Sequence, residues 1–87
     1  MSNRVILARS AQKDMRDLHP DVLKEVDKRI LALFDDPRPP GAVPLKGKRR
    51  GHLRVRAGEH RIIYAVDDAT QTVAIVAIGP RGSVCTE

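Results

Sequence analysis

The run HLRVRAGEHRIIY, residues 52–64, constrains this chain more than any other stretch. Apolar and polar residues alternate on both sides of Gly58-Glu59, the period of a β-strand with one buried face. A Gly-X pair between two such runs favours a two-residue type II′ turn, because glycine accepts positive φ at the first turn position. That loop length sets the register: Ala57 opposite His60, Arg56 opposite Arg61, Val55 opposite Ile62, Arg54 opposite Ile63 and Leu53 opposite Tyr64. Leu53, Val55, Ile62, Tyr64 and Val66 then share one face, and Arg54, Arg56 and Arg61 the other. Like charges directly opposite each other weaken a strand pair by up to ~1 kcal/mol. Folding supplies no reason to set Arg56 against Arg61. A bound anion such as a phosphate does, because it turns the repulsion into a clamp.

The rest of the chain supplies what the hairpin packs against. RVILA, residues 4–8, reads as a short first strand. RSAQKDMRDL follows as a helix, with Ser10 as its expected N-cap and Ala11, Met15 and Leu18 on one side. His19-Pro20 interrupts, and Pro20 suits the first turn of a second helix. Val22, Val26, Ile30, Leu33 and Phe34 form the apolar stripe of that helix, and Glu25 with Arg29 an expected i, i+4 ion pair. The two helices read as a hairpin. DDPRPPGAVP ends the second helix and predicts a stiff, extended connection, and LKGKRRG continues it as a basic loop. Strand-like runs follow at about 52–57, 60–67 and 72–78. The last turns back near DDATQ, so its end returns to the start of the strand before it, beside Arg61. GPRGSV then delivers Arg81 to the same cluster.

Eighty-seven residues suit one α+β domain, 1–87, with the helices on one face of the sheet. The net charge of +5 is unevenly spread. Residues 46–61 carry seven basic side chains (Lys46, Lys48, Arg49, Arg50, Arg54, Arg56, Arg61) against one acid, Glu59. A focused positive field attracts polyanions, although a solvated charge run fits the count alone equally well. The only large aromatics are Phe34 and Tyr64, which argues against binding by base stacking on an aromatic platform. One cysteine, Cys85, excludes an internal disulfide and points to a reducing, cytoplasmic setting. No signal peptide is expected, since Arg4 and Arg9 bracket only four apolar residues, and no run approaches the length of a membrane span. Little sequence remains before Glu87 for a third helix.

The candidate chemistry is narrow. His19, His52 and His60 lie too far apart, with one cysteine, for metal-ligand spacing, so neither a metal nor an organic cofactor is expected. No phosphate-binding glycine loop or nucleophile elbow is present. What remains is cation-rich chemistry on a phosphodiester. RNA brings its own nucleophile, the 2′-hydroxyl, and needs in-line alignment and stabilisation of charge on the phosphate. Arginines supply both, with Lys46, Lys48, Arg49 and Arg50 lining the approach. Arginine is a poor proton acceptor, so proton transfer falls to other groups. His60, at the turn but with its parity toward the core, and His52, which opens the basic strand, are the candidates; a structural role is open for both.

The order of pieces resembles the RelE family of bacterial toxins, within the RelE/ParE superfamily. The resemblance spans nearly the whole chain: a strand, two helices, PRPPGAVPLKG, HLRVRAGEHRIIYAVDD and AIVAIGPRGSV. Its most specific part is RVRAGEHRIIY, which matches the family pattern R-x-R-x-G-x-Y-R-hydrophobic-hydrophobic-Y except that His60 stands where tyrosine is common. The resemblance implies a microbial-RNase-like fold with helices on one face of an antiparallel sheet. It also implies a cytoplasmic toxin of a type II toxin–antitoxin system that enters the ribosomal A site and cuts mRNA. A RelB-like antitoxin would neutralise it, and operator DNA would be bound only through the complex. The family's basic residues fall by position on Arg54, Arg56, Arg61 and Arg81. The departures are Pro80, where a histidine or lysine often stands, and Cys85, where the family has a C-terminal tyrosine; this leaves Cys85 as a further candidate for proton transfer. A ParE-like gyrase inhibitor shares the fold and tolerates such losses, as does a family member that acts only through antitoxin or DNA binding.

Overall fold

The computed structural model describes residues 3–47 and 50–80. In chain order the elements are β1 (Arg4–Leu7), α1 (Arg9–Arg16), α2 (Pro20–Asp35), β2 (Val43–Pro44), β3 (Leu53–Ala57), β4 (His60–Asp67) and β5 (Thr72–Pro80). The five strands form one sheet in the order β1-β5-β4-β3-β2. Neighbouring strands from β2 to β5 are antiparallel, whereas β1 runs parallel to β5, so the sheet is mixed rather than antiparallel throughout as expected. The residue pattern of RVIL cannot express that difference: an outer strand alternates in the same way whichever direction its neighbour runs.

The helices lie on one face of the sheet. Val26, Ile30 and Leu33 of α2 and Ala11 of α1 are buried against Val55, Ala57, Ile62, Tyr64, Val73, Ile75 and Ile78. The stripe read from the sequence therefore faces the core at Val22, Val26, Ile30 and Leu33, while Phe34 is only half-buried and stands outside the cluster, and Pro20 occupies the first turn of α2. His19 is the N-cap, its ring Nδ1 accepting from the Asp21 N–H at 3.2 Å. Glu25 and Arg29 are both exposed and do not come within ion-pair distance. Two long solvated side chains gain little by holding one geometry.

Ser10 is not the cap expected of it. Helix α1 begins at Arg9 with Ala8 at the cap position, because the Ala8 N–H is still bound to the Ile75 carbonyl of β5 at 2.9 Å. The Ser10 hydroxyl instead donates to the Val76 carbonyl at 2.6 Å. Val76 is the extra residue of a β-bulge: β4 pairs Ile63 with Ala77 but Tyr64 with Ile75. β1 pairs with β5 only as far as Ile75, and beyond it no strand among the described residues covers that edge of β5. The Asp14 carboxylate covers the next gap, accepting from the Ile78 N–H at 3.0 Å. Two polar side chains of α1 thus satisfy backbone groups that would otherwise be costly to bury.

The proline-rich connection is tied down at its start. The Tyr64 hydroxyl, fully buried beneath α2, donates to the Pro37 carbonyl at 2.8 Å. Arg38 makes a two-pronged ion pair with Asp68 in the β4–β5 turn, at 3.0 and 3.1 Å. Within this connection Val43 and Pro44 pair with Arg54 and Leu53 as a two-residue edge strand. An edge is the place where a proline's missing N–H costs nothing.

Candidate functional site

Every pair of the β3–β4 hairpin stands as its loop length dictates, from Ala57 opposite His60 to Leu53 opposite Tyr64. Gly58 takes φ +64°, while Glu59 does not enter the positive region, as a type II′ turn requires. A Cβ at Gly58 would meet nothing within 4 Å, so the demand for glycine there is conformational rather than spatial. Arg56 therefore faces Arg61 directly.

β5 extends the row. It runs two residues beyond the expected end at 78, and Gly79 pairs with Arg61 and Pro80 with His60. The bulge decides this alignment. With the register of Asp67 and Thr72 continued unbroken, Arg61 would face Ile78. The extra residue places Gly79 there instead, so the sheet beside the Arg61 side chain carries no Cβ. Arg56, Arg61 and Gly79 form one row across three strands on the face away from the helices.

A cleft of about 370 Å³ opens over the end of this row, lined by Arg56, Gly58, Glu59, His60, Arg61 and Pro80. Arg56 is exposed and Arg61 is half-buried. The Arg61 Nε is buried with no hydrogen-bond partner, a donor held ready for an acceptor. Arg54, half-buried, lies one row further along, opposite Ile63. Among the described residues, none of these three arginines forms an ion pair, whereas Arg38 does. Uncompensated guanidiniums gathered at a concave site favour an oxyanion able to accept from several N–H groups at once.

The remaining candidates sort by position. His60 lines the cleft, and it also lines a notch against Asp21, Val22 and Glu25 of α2, as its core-side parity implies. His52 is half-buried at the start of β3, and its Nδ1 is buried without a partner. Lys46 and Arg50 are exposed in the loop between β2 and β3. Lys48, Arg49, Arg81 and Cys85 lie outside the described residues. Gly79, Glu59 and Pro80 join the site without being candidates from sequence. Glu59 and Pro80 follow from the turn and from a longer last strand, but the place of Gly79 depends on the bulge.

Tyr64 does not line this cleft. It points to the helix side, and burial pushes its hydroxyl up to about 12, opposed by Arg38 and reinforced by Asp36. The Arg38 guanidinium holds the Asp68 carboxyl below its ordinary range by hydrogen bonding and by charge. Among the described residues, no three histidine, cysteine, aspartate or glutamate side chains group so as to hold a metal ion. Among the same residues, no helix is long and apolar enough to cross a membrane.

Residues 5–84 match the sequence model of a family described as the ParE toxin of the type II toxin–antitoxin system parDE. The chain belongs to this toxin family. Among curated proteins, toxin RelG of Mycobacterium tuberculosis is 31% identical over 77 residues, which cover 86% of each chain. The toxin is also similar in structure to a RelBE toxin–antitoxin complex of the same organism, with TM-score 0.83 and 27% identity over 93% of this chain and 100% of that one. The archaeal RelE–RelB complex of Pyrococcus horikoshii gives TM-score 0.81 at 24% identity, covering 97% and 100%. Free RelE of Escherichia coli gives 0.78 at 21%, covering 95% and 90%. This ParE-family toxin therefore has the RelE fold and sits in the RelE/ParE superfamily of type II toxins.

Proposed function

We propose that this toxin is a ribosome-dependent mRNA endoribonuclease. One observation carries the reading: Arg56 and Arg61 face each other across a ladder and line one cleft, at a cost to folding, and the Arg61 Nε is a buried donor without a partner. In this mechanism Arg61 and Arg56 grip the phosphate oxygens, and Arg54 holds the backbone beside it. The 2′-oxygen of the preceding ribose attacks phosphorus, and the bond from phosphorus to the 5′-oxygen breaks. The products are a 2′,3′-cyclic phosphate and a free 5′-hydroxyl. The guanidiniums stabilise the extra charge of the pentacoordinate state. The proton of the 2′-hydroxyl leaves to a base, and an acid protonates the departing 5′-oxygen. His60 lines the cleft and is the first candidate for this proton transfer. His52, and Cys85 beyond the described residues, are the other candidates. Lys46, Lys48, Arg49 and Arg50 guide the RNA in, and Arg81, next in sequence to Pro80, completes the basic set. No step calls for a metal.

The partners in this reading are the ribosome and mRNA in the cytoplasm, a RelB-like antitoxin that covers the cations, and operator DNA reached only through the toxin–antitoxin complex. The solved relatives include toxins bound to RelB, which supports the antitoxin. A second reading, a gyrase-directed toxin, draws on the ParE description of the matching family. Primer-extension mapping on translating ribosomes separates the two. Toxin-dependent mRNA ends within the A-site codon support the nuclease. Gyrase-dependent DNA breaks without such ends refute it in favour of the second reading.

A further inference from the structure

The face of the sheet opposite the helices carries a second apolar cluster that charge pairing alone does not call for. Ile63 lies on the arginine face, between Arg54 on β3 and Ala77 on β5, yet it is fully buried. Leu45, the first residue after β2, covers it. Leu45 is itself only 4% exposed and packs with Ile63 and Ala77, with Val76 alongside. Its N–H donates to the His52 carbonyl at 2.9 Å and closes the base of the loop that carries Lys46 and Arg50. Within that loop the Arg50 N–H donates to the Gly47 carbonyl at 3.1 Å, and Gly47 and Gly51 take φ of +66° and +91°. One leucine thus pegs a glycine-bearing basic loop onto the face that holds the arginines.

The peg matters because of how far charge acts. Exposed cations add to a common field only within about a Debye length, ~10 Å at 0.1 M salt. A loop with two glycines in left-handed conformations is entropically free to swing away unless something holds it. Leu45 rests on Ile63, whose neighbours on the same face are Arg54 across the ladder and Arg61 two residues back along β4. The apolar contact therefore joins the base of the loop to the face that carries the arginine row.

We propose that Leu45 is a positioning residue: it holds Lys46 and Arg50 beside Arg54 and Arg61, so that one RNA backbone meets cations from both the loop and the sheet. This rests on the reading of the cleft as an RNA site. It assigns Leu45 no contact with the substrate. Its effect is preorganisation, which shows in binding and in the number of phosphates neutralised.

The test uses a short single-stranded RNA, 2′-O-methylated at every ribose so that it binds without being cut, titrated over a range of salt. Leu45→Ala and the milder Leu45→Val are expected to weaken binding and to flatten the salt dependence, by ~0.7 in the log–log slope for each phosphate no longer neutralised. Leu45→Met, which keeps the volume, restores both. Adding Lys46→Ala and Arg50→Ala to the Leu45→Ala chain costs little further affinity, because those cations are already misplaced. Thermal melts establish which variants are folded, and Leu45→Val decides alone where Leu45→Ala is not. The proposal is overturned if folded Leu45 variants keep the parent slope, or if the loop-charge deletions cost as much in the Leu45→Ala chain as in the parent. If the parent shows no salt-dependent RNA binding and Arg61→Ala changes nothing, the RNA reading itself fails and takes this proposal with it.

Discussion

Replacing Arg56 by threonine separates what the arginine pair costs from what it does. In a two-residue hairpin the closing pair, Ala57 and His60, exchanges the backbone hydrogen bonds, so Arg56 and Arg61 form the next, non-hydrogen-bonded pair. Side chains approach most closely at such pairs. Neither arginine has an ion-pair partner among the described residues, so no carboxylate within ion-pair distance offsets the repulsion. Cross-strand pair terms run from ~0.2 to 1 kcal/mol, and threonine suits a strand, so Arg56→Thr gains ~0.5 kcal/mol. For a domain of this size a gain of that order raises Tm by ~2–4 °C. Calorimetry at 0.1 M and 1 M salt checks the cause, since screening at 1 M, where the Debye length is ~3 Å, removes most of the difference. Arg54→Thr is the internal control: Arg54 faces Ile63 rather than a cation, so it brings no gain. Inorganic phosphate is expected to raise the Tm of the parent more than that of Arg56→Thr, because it binds the folded pair and not the unfolded chain. A fall in Tm for Arg56→Thr, an equal gain for Arg54→Thr, or a gain unchanged at 1 M salt refutes the reasoning.

Other expected outcomes follow from the same contacts. Arg61→Ala and Arg81→Ala abolish growth arrest on induction while melting like the parent and still binding antitoxin; unchanged toxicity in both contradicts the nuclease mechanism. Tyr64→Phe frees the Pro37 carbonyl and lowers stability by ~1 kcal/mol at neutral pH. Because burial pushes the Tyr64 hydroxyl from about 10 up to about 12, its contribution is complete below about pH 10 and is lost as pH rises toward 12. The parent should lose more stability than Tyr64→Phe across that window in alkaline denaturation, and parallel curves would count against the buried hydroxyl. Asp14→Ala strands the Ile78 N–H and costs ~1–2 kcal/mol, with Asp14→Asn recovering part of it, as urea titration would measure.

The hairpin was legible because every signal in it is local. Alternation, a two-residue turn and a glycine at the one position needing positive φ leave a single register, and Arg56 against Arg61 follows by counting. The stripe of α2, the break at His19-Pro20 and the resemblance to RelE toxins were legible for the same reason: they reside in residues a few positions apart. Ser10 shows where local reading stops. A serine near a helix start looks like a cap until a bulge elsewhere leaves the Val76 carbonyl in need of a donor.

By itself, then, the sequence determined the strand pairing around Gly58, the apolar faces of α2 and the hairpin, and the concentration of positive charge between residues 46 and 61. Tertiary structure alone decided that β1 runs parallel to β5, that a bulge at Val76 sets Gly79 beside Arg61, and that Leu45 crosses to the arginine face and covers Ile63. The division has a physical cause. Turn geometry and side-chain period act over a few bonds and are written in neighbouring residues. Strand direction, bulges and packing between distant segments come from closing long loops onto a shared surface, where many local patterns are equally compatible until the whole chain has chosen one.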